Sequence, residues 1–248
     1  VRAGANDHRL KRVAPTARIA RIESDWRNIE SVVSENEPEF IIHTAGAMDG
    51  GDDVEAATNL MTTNVLNPTR LLGAAKYAGV RGFITVGTAW QHNQGEGYEP
   101  VNLYAASKQA FDDVLRYYAS TGLPCASLHM FDSYGYEDPR EKLVNLLLKL
   151  ARTGDALDMT PGEQEISLVH VTDAAAAFAR MTALMLSNQY SGFHVFAVTG
   201  SEPMPLRKLV TMVEDITGRK LNINWGGRDY RPREVMRCWR GGAPVLGW

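Results

Sequence analysis

Cysteine is scarce in this sequence, with 2 residues in 248. Cys125 and Cys238 stand far apart and in no metal-ligand spacing, which argues against a disulfide-stapled mini-fold and a thiolate metal module. The usage suits a reducing compartment with both thiols structural, and the expected setting is cytoplasmic. Charge of one sign is lacking too. A formal net charge of −3 gives no global pull toward nucleic acid or an anionic membrane, and neither is expected as a partner. No apolar run approaches the roughly 18 residues of a membrane span. Internal repeats and low-complexity linkers are absent. What is present is 44% hydrophobic and 22% charged, the balance of a globular protein. Its length allows a sizeable core in one or two domains.

The chain alternates two periods. The stretch 39–45, E-F-I-I-H-T-A, reads as a short strand buried on both faces. Residues 54–78 read as helical, with Leu71, Leu72, Ala75 and Ala78 on one face and Gly79 as the stop. Pro68 should sit in a first turn or mark a kink. Residues 83–88, F-I-T-V-G-T, form a second buried strand. A helix then carries Phe111, Val114, Leu115 and Tyr118 on one face and ends at T-G-L-P. Residues 125–131 form a third strand. Further on come helix 139–153, a strand at 166–171, helix 173–187 with Thr172 as N-cap, a strand at 193–198, helix 205–217 and a short strand in L-N-I-N-W. Strands alternating with helices predict βαβ units and a doubly wound parallel sheet. Ligands of such sheets bind beyond the carboxyl ends of the strands. Three segments lie there: T-A-G at 44–46, Thr88, and F-D-S-Y-G at 131–135.

One pair carries chemistry. In V-N-L-Y-A-A-S-K-Q, Tyr104 and Lys108 are four apart at a helix start, so they share a face with Cβ atoms roughly 6 Å apart. An ammonium beside a phenol is expected to lower the tyrosine pKa, and such a tyrosine can exchange a proton with a hydroxyl or carbonyl. Taken singly, each has an ordinary explanation: a core aromatic, a snorkelling lysine. His43, His129 and His170 fall in or beside strands and read as satisfied core histidines.

In order, F-I-I-H-T-A-G, N-V-L-N-P-T-R-L-L-G-A-A, F-I-T-V-G-T, Y-A-A-S-K, F-D-S-Y-G and L-V-H-V-T-D resemble the extended short-chain dehydrogenase/reductase family. These are NAD(P)-dependent nucleotide-sugar epimerases, dehydratases and reductases. More narrowly, G-T-A-W-Q-H, F-D-S-Y-G-Y-E-D-P-R and W-G-G-R-D-Y-R-P-R-E-V-M look like the branch that reduces 4-keto-6-deoxy sugars on a nucleoside diphosphate, as in paratose or abequose synthases. The resemblance implies a Rossmann-like sheet with a smaller C-terminal substrate-binding region. The cofactor domain would be 1–135 with parts of 155–200, and the substrate region 136–248.

It also implies roles. Tyr104 exchanges a proton with the sugar, Lys108 tunes it and holds the cofactor ribose, and Thr88 bonds the same substrate oxygen. Thr44, Ala45 and Gly46 pass close to the cofactor, and Phe131 and Ser133 flank the nicotinamide. Asn64 braces the site or caps a helix. Arg231 clamps the substrate diphosphate, with Asn145, Trp225 and Arg228 as weaker candidates for the nucleotide pocket. Asp132 stands where the family often has Asn. Arg2, with Arg9, Lys11 and Arg12, favours the 2′-phosphate of NADP, with NAD as the alternative. Family dehydratases usually follow the threonine with Asp-Glu. Here Ala89 and Trp90 follow, and neither can shuttle a proton. A 4-ketoreductase is therefore the first expectation. A 4-epimerase and a non-catalytic cofactor-binding relative are the alternatives. A homodimer through 54–78 and 104–120 is implied.

The family's G-x-x-G-x-x-G loop is missing. G-A-M-D-G-G at 46–51 follows the wrong strand and lacks the spacing. The chain opens at Val1 on what reads as a strand end. The expectation is an N-terminally truncated sheet that, by itself, folds poorly and binds cofactor weakly.

Overall fold

The computed structural model describes residues 12, 14–48, 51–95, 97–136, 138, 140–200 and 202–248. Arg2, Arg9 and Lys11 lie outside the described residues. The order is α1 (Ile29–Asn36), β1 (Ile41–His43), α2 (Val54–Met61), a π-turn (Thr62–Leu66), α3 (Asn67–Tyr77), β2 (Phe83–Thr88), α4 (Leu103–Ser120) and β3 (Cys125–Met130). Then come β4 (Asp132–Tyr134), α5 (Leu143–Thr153), β5 (Leu157–Met159), β6 (Glu165–Ile166), β7 (Leu168–His170), α6 (Val171–Leu186), β8 (Phe193–Val198), β9 (Met204–Pro205), α7 (Leu206–Thr217), β10 (Ile223–Trp225) and β11 (Ala243–Pro244).

The main sheet has five parallel strands in the order β1-β2-β3-β8-β11. Strand β2 is internal, paired with β1 and β3, and buried along almost its whole length. Helices cover both faces. On one side α1, α3 and α4 bring Ile29, Leu72, Phe111 and Leu115 onto Phe83 and Cys125. On the other, Ala177, Met181 and Leu184 of α6 pack on Ile84, Leu128 and Phe196. A third apolar cluster lies away from the sheet, where α5 and α7 pack with Ile223 and Trp225.

Local chemistry sets the helix ends. Asp53 caps α2 by accepting from Glu55 and Ala56 amides at 2.9 and 3.0 Å. Asn102 caps α4 by accepting from the Ala105 amide at 3.0 Å. Gly79 leaves α3 with φ +72°, the left-handed stop that glycine permits. Pro68 follows the π-turn directly, at the start of α3, so its missing N–H falls where the helix changes register. One capping assignment is corrected. Helix α6 starts at Val171 and its N-cap is His170, whose ring accepts from the Thr172 amide; Thr172 is already inside the helix, its hydroxyl 2.7 Å from His170 Nδ1.

His43 ends β1 among rings, with Trp26, Phe83 and Phe111 all centred 6.2 Å away. Burial, aided by the charge of Lys108, lowers its pKa from 6.5 to about 4. The unfolded chain takes up this proton below about pH 6.5, whereas the folded chain resists until about pH 4. Stability should therefore fall as pH drops from 6.5 toward 4. In urea titrations across that window His43→Phe is expected to flatten the loss. An equally steep decline in the variant would mean that other groups set the acid limit.

Candidate active site

Helix α4 aims its first turns at the carboxyl ends of β1 and β2. Lys108 is buried, with 8% of its surface exposed, and Tyr104 is half-buried. The Lys108 ammonium lies 5.8 Å from the Tyr104 ring centroid. The expected lowering of the phenol pKa is not what the structure shows. Burial raises the Tyr104 pKa above its ordinary value, against a pull from the Arg140 guanidinium. Lys108 is itself desolvated, which lowers its pKa from 10.5 to about 8, with Asp112 pulling the other way. The phenol thus keeps its proton at neutral pH.

Asn64 sits buried in the π-turn and braces the site rather than capping a helix. Its Oδ1 accepts from the Ala47 amide at 2.8 Å, and its Nδ2 donates to the Ala47 carbonyl and the Ser107 hydroxyl, each at 2.9 Å. This ties the segment after β1 to α4. In that segment Thr44, Ala45 and Gly46 are exposed. A Cβ on Gly46 would lie 3.1 Å from the Lys108 ammonium and 3.2 Å from Asn64 Oδ1, so a side chain there would push both groups aside by a few tenths of an ångström. Among the described residues the ammonium has no hydrogen-bond acceptor. A donor without a partner beside a strip of small residues fits the ribose hydroxyls of a dinucleotide.

Thr88 ends β2 and caps the short 3-10 turn Ala89–Gln91. Its Oγ1 accepts from the Trp90 amide at 3.3 Å, which leaves the hydroxyl hydrogen uncommitted to that bond. Phe131 stacks on Trp239 at 6.3 Å and 11°. Ser133 is engaged by Lys142, whose ammonium donates to its carbonyl and hydroxyl, both at 2.8 Å. Asp132 is open to water along one side yet walled by protein. Desolvation raises its carboxyl pKa, against Lys142 and Arg231. Arg231 is bound to Glu234 through Nε and Nη2 at 3.1 and 3.2 Å.

Asn145 lies in a separate groove of about 600 Å³ with Tyr136, Leu148, Arg152 and Arg219, and Thr88, Tyr104 and Arg231 do not line it. Trp225 is used in packing, with the Arg207 guanidinium 4.6 Å from its ring centroid. The structure therefore gathers Thr88, Tyr104, Lys108 and the 44–46 segment at one sheet edge. Asn145 and Trp225 make no hydrogen bond to any of these residues among the described residues, and Asn145 lines the neighbouring groove with Gly135 and Tyr136.

Sequence reasoning passed over Arg140, Gln91 and Asp112. The signal for Asp112 was its place four residues after Lys108, on the face that already held Tyr104. Among the described residues no cluster of His, Cys, Asp and Glu is arranged to hold a metal ion, and no helix is long and apolar enough to cross a membrane.

Comparison with known proteins places the fold and the family. The model of the NAD dependent epimerase/dehydratase family matches residues 2–191. CDP-abequose synthase of Yersinia pseudotuberculosis is 26% identical over 215 residues, 86% of this chain and 74% of that protein. UDP-glucose 4-epimerase of Corynebacterium glutamicum is 25% identical over 92% of this chain and 76% of that protein. Among solved structures, UDP-glucuronic acid 4-epimerase of Bacillus cereus, in complex with UDP-glucuronic acid and NAD, superposes with a TM-score of 0.80 at 18% identity, covering 96% of this chain and 77% of that one. The dTDP-glucose 4,6-dehydratase DesIV of Streptomyces venezuelae gives 0.77 at 23% identity, covering 96% and 76%.

The Lys108 burial has a measurable sign. Its amine binds a proton up to about pH 10.5 when unfolded but releases it near pH 8 when folded. The penalty for burying the charge is full below pH 8 and fades as pH rises to 10.5, a change on the order of 3 kcal/mol. Relative to Lys108→Met, the native chain should therefore gain stability between neutral pH and pH 10.5, read from urea midpoints. A gap independent of pH would mean that the amine is not desolvated.

Proposed function

The chain belongs to the NAD-dependent epimerase/dehydratase family, and we propose that it is an NAD(P)-dependent oxidoreductase that reduces the 4-keto group of a nucleoside-diphosphate sugar. The observation that carries this is the juxtaposition at one sheet edge of a proton-bearing Tyr104, a Lys108 ammonium with no hydrogen-bond acceptor among the described residues, and Thr88. Its likeness to CDP-abequose synthase supports the branch.

A bound nicotinamide would supply the hydride. The chain's own residues do the rest. Burial keeps the Tyr104 phenol protonated, so it can deliver that proton to the carbonyl oxygen as negative charge develops there. Thr88, whose lone pair is held by the Trp90 amide, donates to the same oxygen. Lys108 would hold the ribose hydroxyls of the cofactor and support the phenolate once the proton has left. Thr44, Ala45 and Gly46 leave room for the cofactor, and Phe131 and Ser133 border it.

Ala89 and Trp90 offer neither acid nor base, which favours reduction over dehydration. Arg231 is assigned to the diphosphate through the donors that Glu234 leaves free, with Asn145 as a more distant contact. The basic residues Arg2 and Arg12 support NADP over NAD. We read 1–135, with parts of 155–200, as the cofactor half and 136–248 as the substrate half. The exposed Met61, Leu66 and Tyr117 support pairing of two copies through α2–α4. The cytoplasm is the expected setting.

The test is direct. The protein is mixed with NADPH or NADH and a panel of nucleotide-linked 4-keto-6-deoxy sugars, and loss of the reduced-nicotinamide absorbance is followed. Consumption is expected, falling by about 10²–10⁴-fold in Tyr104→Phe. No consumption, with interconversion of a nucleotide hexose at C4, would replace the reductase by an epimerase. The match to UDP-glucose 4-epimerases keeps that second reading in view.

A further inference from the structure

Beneath the Thr88 turn lies a polar cluster that the proposed reaction does not use. Gln91 is fully buried. Its Oε1 accepts from the Thr88 amide at 3.0 Å. Its Nε2 donates to Asp112 Oδ2 at 2.8 Å and to Gln109 Oε1 at 2.9 Å. Asp112 Oδ2 also meets His129 Nε2 at 2.9 Å, and both side chains are only 2% exposed. His129 Nδ1 meets His92 Nε2 at 3.3 Å, and His92 Nδ1 meets the Gly97 carbonyl at 3.1 Å. A glycine makes room for this line, since a Cβ on Gly87 would lie 2.2 Å from the His129 ring. His92 lies flat on Trp239, with centroids 4.0 Å apart and planes within 9°.

The protons can be counted. Three hydrogen bonds run from the Asp112 carboxylate through two imidazoles to the Gly97 carbonyl. Both ends are acceptors, so the rings must bring all three protons. Two neutral imidazoles carry only two. The third makes one ring an imidazolium and gives the buried carboxylate its counter-charge. Placed on a ring, it stands within hydrogen-bond reach of the carboxylate, at 2.9 Å. Without it Asp112 would be a buried anion whose Oδ1 has no hydrogen-bond partner. The other cation facing Asp112 is Lys108, one turn earlier on α4.

We infer that His92 and His129 share one proton beyond those of two neutral rings, and that this charge-balanced unit, acting through Gln91, positions the Thr88 turn against the helix that carries Tyr104 and Lys108. Gln91 and Asp112 are positioning residues. Their catalytic relevance rests on the reading of Thr88 given above; the proton count does not.

Histidine-¹⁵N labelling and long-range ¹H–¹⁵N spectra near neutral pH test the count. Three ring N–H protons are expected on the pair, falling to two in Asp112→Asn. Two in the native protein would overturn the shared proton. Positioning is read from amide exchange. Gln91→Leu should speed exchange of the Thr88 amide by about 10–100-fold, and Asp112→Asn should do so more weakly. An unchanged rate in folded variants would overturn the positioning role. In the reductase assay Gln91→Leu should lower kcat about tenfold or more with KM little changed. Should the native protein reduce no sugar while the ring protons and the exchange behave as stated, the enzymatic reading fails and the buried device stands.

Discussion

The packing of α4 across β2 and β3 is the contact on which the rest of the site depends. One face of that helix is apolar over its middle turns, where Phe111 and Leu115 seat against the sheet. Burial of such residues contributes about 1.5–3 kcal/mol each and fixes the helix rotation. Once the rotation is fixed, Tyr104, Lys108 and Asp112 follow at successive turns along a neighbouring stripe. The polar stripe is thus carried into a partly dry environment by its apolar neighbours. That explains why a lysine can be nearly buried with no acid bonded to it among the described residues.

Each polar group at this edge pays for its dryness differently. Tyr104 stays neutral. Lys108 becomes a weaker base. Asp112 instead meets Gln91 and His129 at 2.8 and 2.9 Å, and on the proton count above its charge is answered from β3 and the loop after Thr88. The same few ångströms that suit a proton donor oblige the protein to build a counter-ion behind it.

Much of the layout was legible in the sequence. The strands at 83–88 and 193–198 lie where the apolar runs place them, because a strand buried on both faces leaves an uninterrupted signal. The Tyr104–Lys108 pair was legible because helical spacing is local. The sign of the Tyr104 shift was not, since it depends on how much protein surrounds the phenol. The groove that Asn145 lines was also hidden, because it gathers residues from 135 to 219. His129 read as a satisfied core histidine. It is satisfied, but by partners 17 and 37 positions away, and no local pattern announces those.

The π-turn at Thr62–Leu66 has a consequence for how this chain tolerates change in length. It holds one residue more than an α-helical path would, and that extra residue points Asn64 at both Ala47 and Ser107. Removing any single residue from the turn would let the helix close into regular α geometry, which is locally the more comfortable state. The helices on either side would keep their phase, but the widened turn that holds Asn64 against Ala47 and Ser107 would be gone. The asparagine would leave the site although no residue of the site had been touched. Here a deletion that improves the helix would dismantle the edge it supports, so the irregularity is the part of the helix least open to idealisation.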